Sequence, residues 1–405
     1  MKKIIALLLA LIMVFALVAC GKTETPSGNQ PSGDQPAGNQ PSGEATGAGK
    51  HKVGINYLTG GSYALISLCR TSQQATLVAG GEVMAIDDGA SIEQIVSDFE
   101  NMIQAGCDGL IVWCPVPTIV TTIAEMCREA EVPFVLSDKV PTDPGIIENL
   151  YSNPYFVGGI APANGDYGKY AAQVCLEKGY KKAIITAPGV GDATGEPRTA
   201  GFIEAFEAGG GTVLTVLNYD TTIGDDGLSA CENALVAYPD VEVFFGTGSS
   251  FGVAAMKAIE NSGRDVKVMT CDFENVLMDQ VGQGTLLGLV GDYWVAGFFS
   301  GVLLQNWMDG HPILDENGKA PWIDDLMYFA VGGDQVELYN KFWIDEYCYS
   351  AEEISQMFVA NNPDFDYEAL KEIIYSYSLE DRLIAKYNEG KVTADELAAA
   401  GITVK

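Results

Sequence analysis

Short apolar runs, bounded by glycine, proline or charge, alternate along most of this chain with longer stretches whose apolar positions return every three or four residues. The short runs predict buried strands and the longer stretches predict amphipathic helices. Strands are expected from Lys52 to Asn56 and over Val83–Asp87, Leu110–Cys114 and Phe134–Ser137. Between them Ile92, Ile95, Val96, Phe99, Met102 and Ile103 line one helical face, and Thr118–Glu131 forms a second helix. The alternation then restarts. Helices at Tyr167–Glu177, Arg198–Glu207, Leu228–Ala237 and Val253–Glu260 separate strands at Ala183–Ala187, Val213–Leu217, Val243–Phe245 and Val266–Cys271. Strand, helix, strand at this pitch builds right-handed crossovers and a parallel sheet. Two such series in tandem predict an α/β chain of two doubly wound, Rossmann-like lobes with a groove between them. Ala296–Trp307 is one more helix, placed to return the chain to the first lobe.

The stretch Val266–Trp294 carries the most suggestive chemistry. Asp272 follows one apolar strand, and Gly291, Asp292, Tyr293 and Trp294 follow a second, Leu286–Val290. Open parallel sheets bind ligands at the carboxyl ends of their strands, so these residues are expected to line a cleft.

The N-terminus adds a location. Lys2 and Lys3 precede an apolar stretch that closes in Leu17-Val18-Ala19-Cys20, the order of a secretory signal and too short to span a bilayer. The closing tetrapeptide resembles the bacterial lipobox, which implies cleavage before Cys20 and a lipid on its sulfur, anchoring the protein to the outside of the cell membrane. Residues 21–50 repeat Pro-Ser-Gly-Asn-Gln and near variants, with nothing to bury. As a flexible linker they span roughly 30 Å.

Composition narrows the partners. A hydrophobic content of 47% supports two cores, and a formal net charge of −31 makes nucleic acid and anionic lipid poor partners. Of nine cysteines, Cys20 belongs to the signal and the others are scattered without a C-x-x-C pair. They read as buried small residues and free thiols rather than a metal cage. No cofactor and no metal are expected. Gly189, Gly191 and Gly195 do not fit the spacing of a dinucleotide loop. Asp315-Glu316-Asn317-Gly318 lacks the spaced carboxylates of a calcium loop.

A series of segments resembles the type I periplasmic binding proteins of the ribose and galactose class. It includes Val53-Gly54-Ile55, Gly106-Cys107-Asp108-Gly109-Leu110-Ile111-Val112 and Val132-Pro133-Phe134-Val135-Leu136-Ser137-Asp138. Asn164 with Gly168-Lys169, Arg198-Thr199-Ala200-Gly201-Phe202, Tyr238-Pro239-Asp240-Val241 and Met269-Thr270-Cys271-Asp272 continue it. The resemblance implies a solute receptor of an ATP-driven (ABC) importer that carries out no reaction, with three chain crossings near Ser137–Asp138, Val290–Asp292 and Met327–Val331. Lobe 1 is then expected over residues 51–137 plus 292–326, and lobe 2 over 138–291 plus 327–348. Residues 349–405 exceed the family pattern. There Ser350-x-x-Glu353 and Thr393-x-x-Glu396 read as capping boxes, and Tyr367–Tyr387 as one helix or two of a packed-on appendage.

A sugar offers hydroxyls at its rim and C–H faces above and below, so its site wants ionised acceptors and aromatic rings. Asp272 matches the family's strand-end aspartate, though it could also cap the following helix. Asp292 stands one residue past the family's amide position, which Gly291 occupies. Asp138 follows the first crossing, and Arg198 keeps an arginine whose role could be structural. Glu196 replaces the family's ligand-binding arginine, and Gly248-Ser249 replaces an Asn-Asp pair. Ser62, Tyr63, Trp113 and Tyr219 complete the candidate ligand contacts, with core packing as the alternative for each ring. The departures leave open whether the ligand is a sugar, a nucleoside or a signal molecule, and whether the protein serves a permease or a chemoreceptor or kinase. A remote reading as a serine hydrolase rests on Gly248-Ser249-Ser250-Phe251-Gly252, with Ser250, Asp272 and His311 in hydrolase order.

Overall fold

The computed structural model describes residues 47–60, 62–190, 192–220, 226–282, 284, 286–291, 295–326, 330–331 and 349–404. The first series is β1 (Lys52–Tyr57), α1 (Tyr63–Val78), β2 (Glu82–Asp87), α2 (Gln94–Gln104), β3 (Gly109–Val112), α3 (Pro117–Ala130), β4 (Phe134–Ser137), α4 (Pro144–Tyr151) and β5 (Phe156–Pro162). The second is α5 (Asn164–Glu177), β6 (Lys182–Ala187), α6 (Gly195–Ala208), β7 (Thr212–Asn218), α7 (Asp226–Ala237), β8 (Val243–Gly246), α8 (Ser249–Ser262), β9 (Lys267–Cys271), α9 (Asn275–Gly282) and β10 (Leu286–Val290). After these come α10 (Val295–Met308), β11 (Trp322–Leu326) and β12 (Ala330–Val331). The tail holds α11 (Ala351–Gln356), α12 (Tyr367–Tyr375), α13 (Leu379–Asn388) and α14 (Ala394–Ala399).

The strands form two sheets, ordered β11-β5-β4-β3-β1-β2 and β12-β10-β9-β8-β6-β7. The orders match strand for strand, so β4 of one lobe corresponds to β9 of the other. The central strands β3, β4 and β8 are buried at every position, whereas the edge strands β2 and β7 are only half-buried. Continuous apolar runs therefore go to the middle, where helices cover both faces.

One boundary differs from the sequence reading. β5 pairs in parallel with β4 and stays in the first sheet, while α5 packs on α6, β9 and β10. The chain thus leaves lobe 1 between Pro162 and Asn164, not at Ser137–Asp138, and residues 138–162 belong to lobe 1. The strand was hidden because Gly158 and Gly159 interrupt its apolar run and the register slips there, as glycine in a strand allows. The chain returns to lobe 1 at α10, which packs on α1 and on β3–β5, and passes to lobe 2 again between β11 and β12. α10 is apolar on all sides and buried from Val295 to Asn306, because the sheet lies on one face of it and α1 and the tail on the others.

The tail completes lobe 1. Tyr349 stacks on Phe298 at 4.8 Å, Asn306 Nδ2 donates to the Met357 carbonyl at 2.9 Å, and the Val359 N–H donates to Asn306 Oδ1 at 2.7 Å. Both capping boxes form. The stretch 367–387 divides into two helices because Ser378 accepts from the Asp381 N–H and starts a new one. The seven described cysteines are buried and unpaired, and burial pushes their thiols up, Cys127 to about 12.

Candidate functional site

Asp138 and Asp272 occupy equivalent places, one residue past β4 and β9. Each has a left-handed backbone, φ +66° and +65°. Each donates its N–H at 2.8 Å to the next strand, Asp138 to the Ile160 carbonyl and Asp272 to the Val290 carbonyl. A left-handed residue other than glycine costs roughly 1–2 kcal/mol, and Asp bears it more easily than most. Two at matching strand ends turn both carboxylates onto the carboxyl edges of the sheets, where parallel sheets meet their ligands.

In lobe 1 the carboxylate is built into a buried network. Asn56, next to last in β1, accepts from the Trp113 N–H at 2.9 Å, and donates to the Trp113 carbonyl at 2.9 Å and to Asp88 Oδ2 at 2.8 Å. That bracket fixes the indole, whose Nε1 donates to Asp138 Oδ2 at 2.9 Å. Lys139 Nζ lies 2.9 Å from the same oxygen and 5.8 Å from the indole centroid. Asp138 is 1% exposed, and its Oδ1 accepts no hydrogen bond among the described residues. A buried polar oxygen without a donor is costly, so this one is a spare acceptor at the carboxyl edge of the sheet.

In lobe 2 a cation holds the second carboxylate. Arg198 Nη1 lies 2.9 and 3.0 Å from the two oxygens of Asp272 and donates to the Thr247 carbonyl at 2.8 Å, while Nε donates to Asn164 Oδ1 at 2.9 Å. The guanidinium lies over the Tyr167 ring at 5.4 Å. Burial is the largest single effect and opposes its charge, but Asp272, Cys271 and Tyr167 together outweigh it and drive the pKa up. Arg198 reaches inward because α5 and α6 cross at glycines: a Cβ on Gly201 would sit 2.0 Å from the Gly165 carbonyl oxygen, and one on Gly168 2.0 Å from that of Arg198. With Nε and Nη1 committed to protein acceptors and 1% exposure, Arg198 positions Asp272 rather than presenting itself to a ligand. Asp272 in turn gives its carboxylate to Arg198 and is 16% exposed.

Among the described residues two polar contacts cross the cleft. Lys139 Nζ donates to Thr194 Oγ1 at 2.6 Å, and the Glu274 carboxylate accepts the Tyr63 N–H. Burial raises the Glu274 pKa against the pull of that N–H. Lys139, Asn56, Thr194 and Glu274 were not among the sequence candidates. The available signals were a polar residue closing the apolar β1 run and a cation directly after a strand-end carboxylate.

The remaining candidates scatter. Ser62 caps α1, accepting from the Leu65 N–H at 3.4 Å, and Ser249 begins α8. Tyr219 stands 5.1 Å from Phe251, its hydroxyl turned inward beside Thr186 and Cys231. Glu196 is exposed on the first turn of α6, away from the buried pair. Asp292, with Tyr293 and Trp294, and Cys20 lie outside the described residues. The hydrolase arrangement does not assemble. Asp272 is held by Arg198, and His311 follows the end of α10, where Asp309 binds Gly49 and His51 ahead of β1. That is the amino edge of the lobe 1 sheet, roughly 20 Å along β1 from its carboxyl edge. Among the described residues no group of three or more His, Cys, Asp or Glu is placed to hold a metal, and no helix is long and apolar enough to cross a membrane.

The buried network has a titrating end. Asp88 is 1% exposed; burial first, and then Asp98 and Asp87 nearby, push its carboxyl up to about 7 against the Asn56 amide. Raised from 3.8, it contributes stability that is complete below about pH 4 and lost as pH rises through about 7. Asp88→Asn is therefore expected to flatten the fall in urea midpoint between about pH 4 and 7. Parallel falls in both proteins would show that another group titrates.

The family model described as periplasmic binding protein domain matches residues 69–298, more than half of the chain. The chain belongs to this family. This periplasmic binding protein is 27% identical over 222 residues to the ribose import binding protein RbsB of Bacillus subtilis (strain 168), covering 54% of this chain and 69% of RbsB. Its fold is similar to that of an ABC transporter periplasmic solute binding protein from Actinobacillus succinogenes 130z solved with bound D-allose (TM-score 0.63, 19% identity, 72% of this chain and 100% of that one). It is likewise similar to a solute binding protein from Bacillus halodurans C-125 with bound myo-inositol (TM-score 0.59, 18% identity, 73% and 98%). Members of the family bind a substrate and do not transform it, and the two-lobed parallel-sheet fold is theirs.

Proposed function

We propose that this periplasmic binding protein captures a sugar or similarly hydroxylated small molecule between its lobes and delivers it to a membrane ABC importer, held at the outer face of the membrane by lipid on Cys20. The observation that carries the reading is the matched pair of left-handed aspartates, Asp138 and Asp272, on the facing edges of the two sheets. Asp138 Oδ1 is a desolvated acceptor for a ligand hydroxyl, Trp113 beside it supplies a ring, and Asp272 offers a second carboxylate from the opposite lobe. Ser62 and Tyr63 at the start of α1 and Ser249 at the start of α8 follow strands at the same edges. The names of the relatives and the sugars and polyol bound in neighbouring structures point to the same ligand class.

Closure follows from differential contact. A ligand touching one lobe gains the second set of bonds only when the jaws meet, so it shifts the equilibrium toward the closed state. Moving that balance from 1:99 to 99:1 takes about 5.5 kcal/mol, within reach of several charge-assisted bonds. A thermal-shift screen of pentoses, hexoses and inositols is expected to find a ligand that stabilises the protein by about 2.7 kcal/mol at a hundred times its Kd. No shift with any sugar or polyol, alongside a shift with an amino acid or peptide, would overturn the reading.

A further inference from the structure

Beside Asp272 the lobe 2 edge opens into a cavity of about 270 Å³ lined by Pro188, Gly189, Asn218, Tyr219, Asp220 and Phe251. Its lining comes from the loops after β6 and β7 and from the first turn of α8. These are carboxyl ends of strands in the same sheet as β9, so the cavity shares an edge with the Asp272 carboxylate. Gly248 joins the two places: a Cβ there would lie 3.4 Å from Asp272 Oδ2 and 3.5 Å from the Phe251 ring. The backbone of Gly248 is extended, φ −164°, which any residue adopts. What glycine supplies here is open space between carboxylate and ring.

Tyr219 and Phe251 stand with centroids 5.1 Å apart and planes 51° apart, a corner of two rings rather than a closed slot. Such a corner offers a ring face against which a flat or C–H-rich surface can lie. The sheet order β9-β8-β6-β7 sets the span. At about 4.8 Å per strand, β6 and β7 stand roughly 10–14 Å from β9, so the far wall at Pro188, Tyr219 and Asp220 lies beyond one sugar ring held at Asp272, with Phe251 between them. At the matching end of lobe 1 the loops are tied to one another. There Asp87 takes the Gly60 N–H at 2.7 Å and the Gly89 N–H at 2.8 Å, and the Ala90 N–H bonds the Leu58 carbonyl at 2.7 Å.

We infer that the cavity is a subsite for a second ring, and that the ligand is a sugar bearing that ring through its glycosidic bond. The inference rests on the sugar-receptor reading and refines it: Asp138 and Asp272 hold the hydroxylated ring, and Tyr219 with Phe251 stacks the appended one.

The test is titration calorimetry on the full chain with three probe sets: monosaccharides (D-ribose, D-glucose, D-galactose), disaccharides (cellobiose, lactose) and nucleosides (adenosine, uridine). The expected result is that a two-ring probe binds at least about tenfold tighter than the best monosaccharide. A disaccharide in that position identifies the second ring as a sugar, and a nucleoside identifies it as a base. Tyr219→Ala is expected to remove most of that gain. Because Tyr219 is half-buried, Asn218→Trp serves as a second variant: it fills the exposed mouth of the cavity and is expected to abolish the preference without lowering monosaccharide affinity. Two-ring probes binding no tighter than monosaccharides would overturn this inference and leave the receptor reading standing. So would either variant weakening both classes equally. Binding by none of the three sets would overturn both.

Discussion

Arg198→Met lowers the stability of the ligand-free protein by roughly 3–5 kcal/mol, the cost of removing one partner from a buried ion pair. Three groups lose their donor at once: the Asp272 carboxylate, the Thr247 carbonyl and Asn164 Oδ1. Methionine fills much of the same volume, so the loss reports the missing charge and hydrogen bonds rather than a cavity. Urea unfolding measures it. The double variant Arg198→Met with Asp272→Asn removes the uncompensated carboxylate as well and is expected to recover part of the loss, since replacing both members of a buried pair is often near neutral. A single-variant loss below about 1 kcal/mol, the worth of a surface pair, would mean that the pair does not hold lobe 2 together.

The second large effect falls on binding. Asp138→Asn is expected to weaken the ligand found in the sugar screen by about 10–100-fold, the worth of one charge-assisted hydrogen bond at 1.5–3 kcal/mol. Asparagine is the informative substitution because it tolerates the left-handed backbone at φ +66° and keeps an acceptor for Trp113 Nε1. Alanine would add backbone strain to the loss of charge. Calorimetry gives the change in Kd, and urea unfolding of the ligand-free protein checks that the fold is intact. A Kd within about twofold of the parent would remove the Asp138 carboxylate from the site.

The contrast between these aspartates shows how far a sequence reads. Both were visible as acidic residues closing apolar strands, and the principle that ligands gather at carboxyl ends made both candidates. Their different duties were not visible. Arg198 lies 74 positions before Asp272, and Trp113 lies 25 before Asp138. No local pattern announces that one carboxylate is gripped by a guanidinium while the other is left with a bare oxygen. Glu196 and Arg198 differ likewise: the first is exposed and the second, two residues on, is buried, because only one face of α6 meets α5.

Strand β5 makes the same point about topology. Gly158 and Gly159 break its apolar run, and the family resemblance put the crossing near Ser137–Asp138, ahead of this strand. The sheet supplies what local propensity lacks, since pairing with β4 and β11 and cover from α10 bury all seven residues.

Local periodicity was sufficient to establish the alternating α/β class, the two tandem series, the helical tail with its capping boxes, and the strand-end aspartates, because each depends on contacts within a few residues or on a repeat that one element carries by itself. Tertiary structure alone decided where the chain leaves lobe 1, which cation serves which carboxylate, that Lys139 and Glu274 reach across the cleft, and that a cavity opens past Gly248. Those features depend on side chains far apart in sequence being brought within hydrogen-bonding distance, and only the packing of helices on sheets sets such distances.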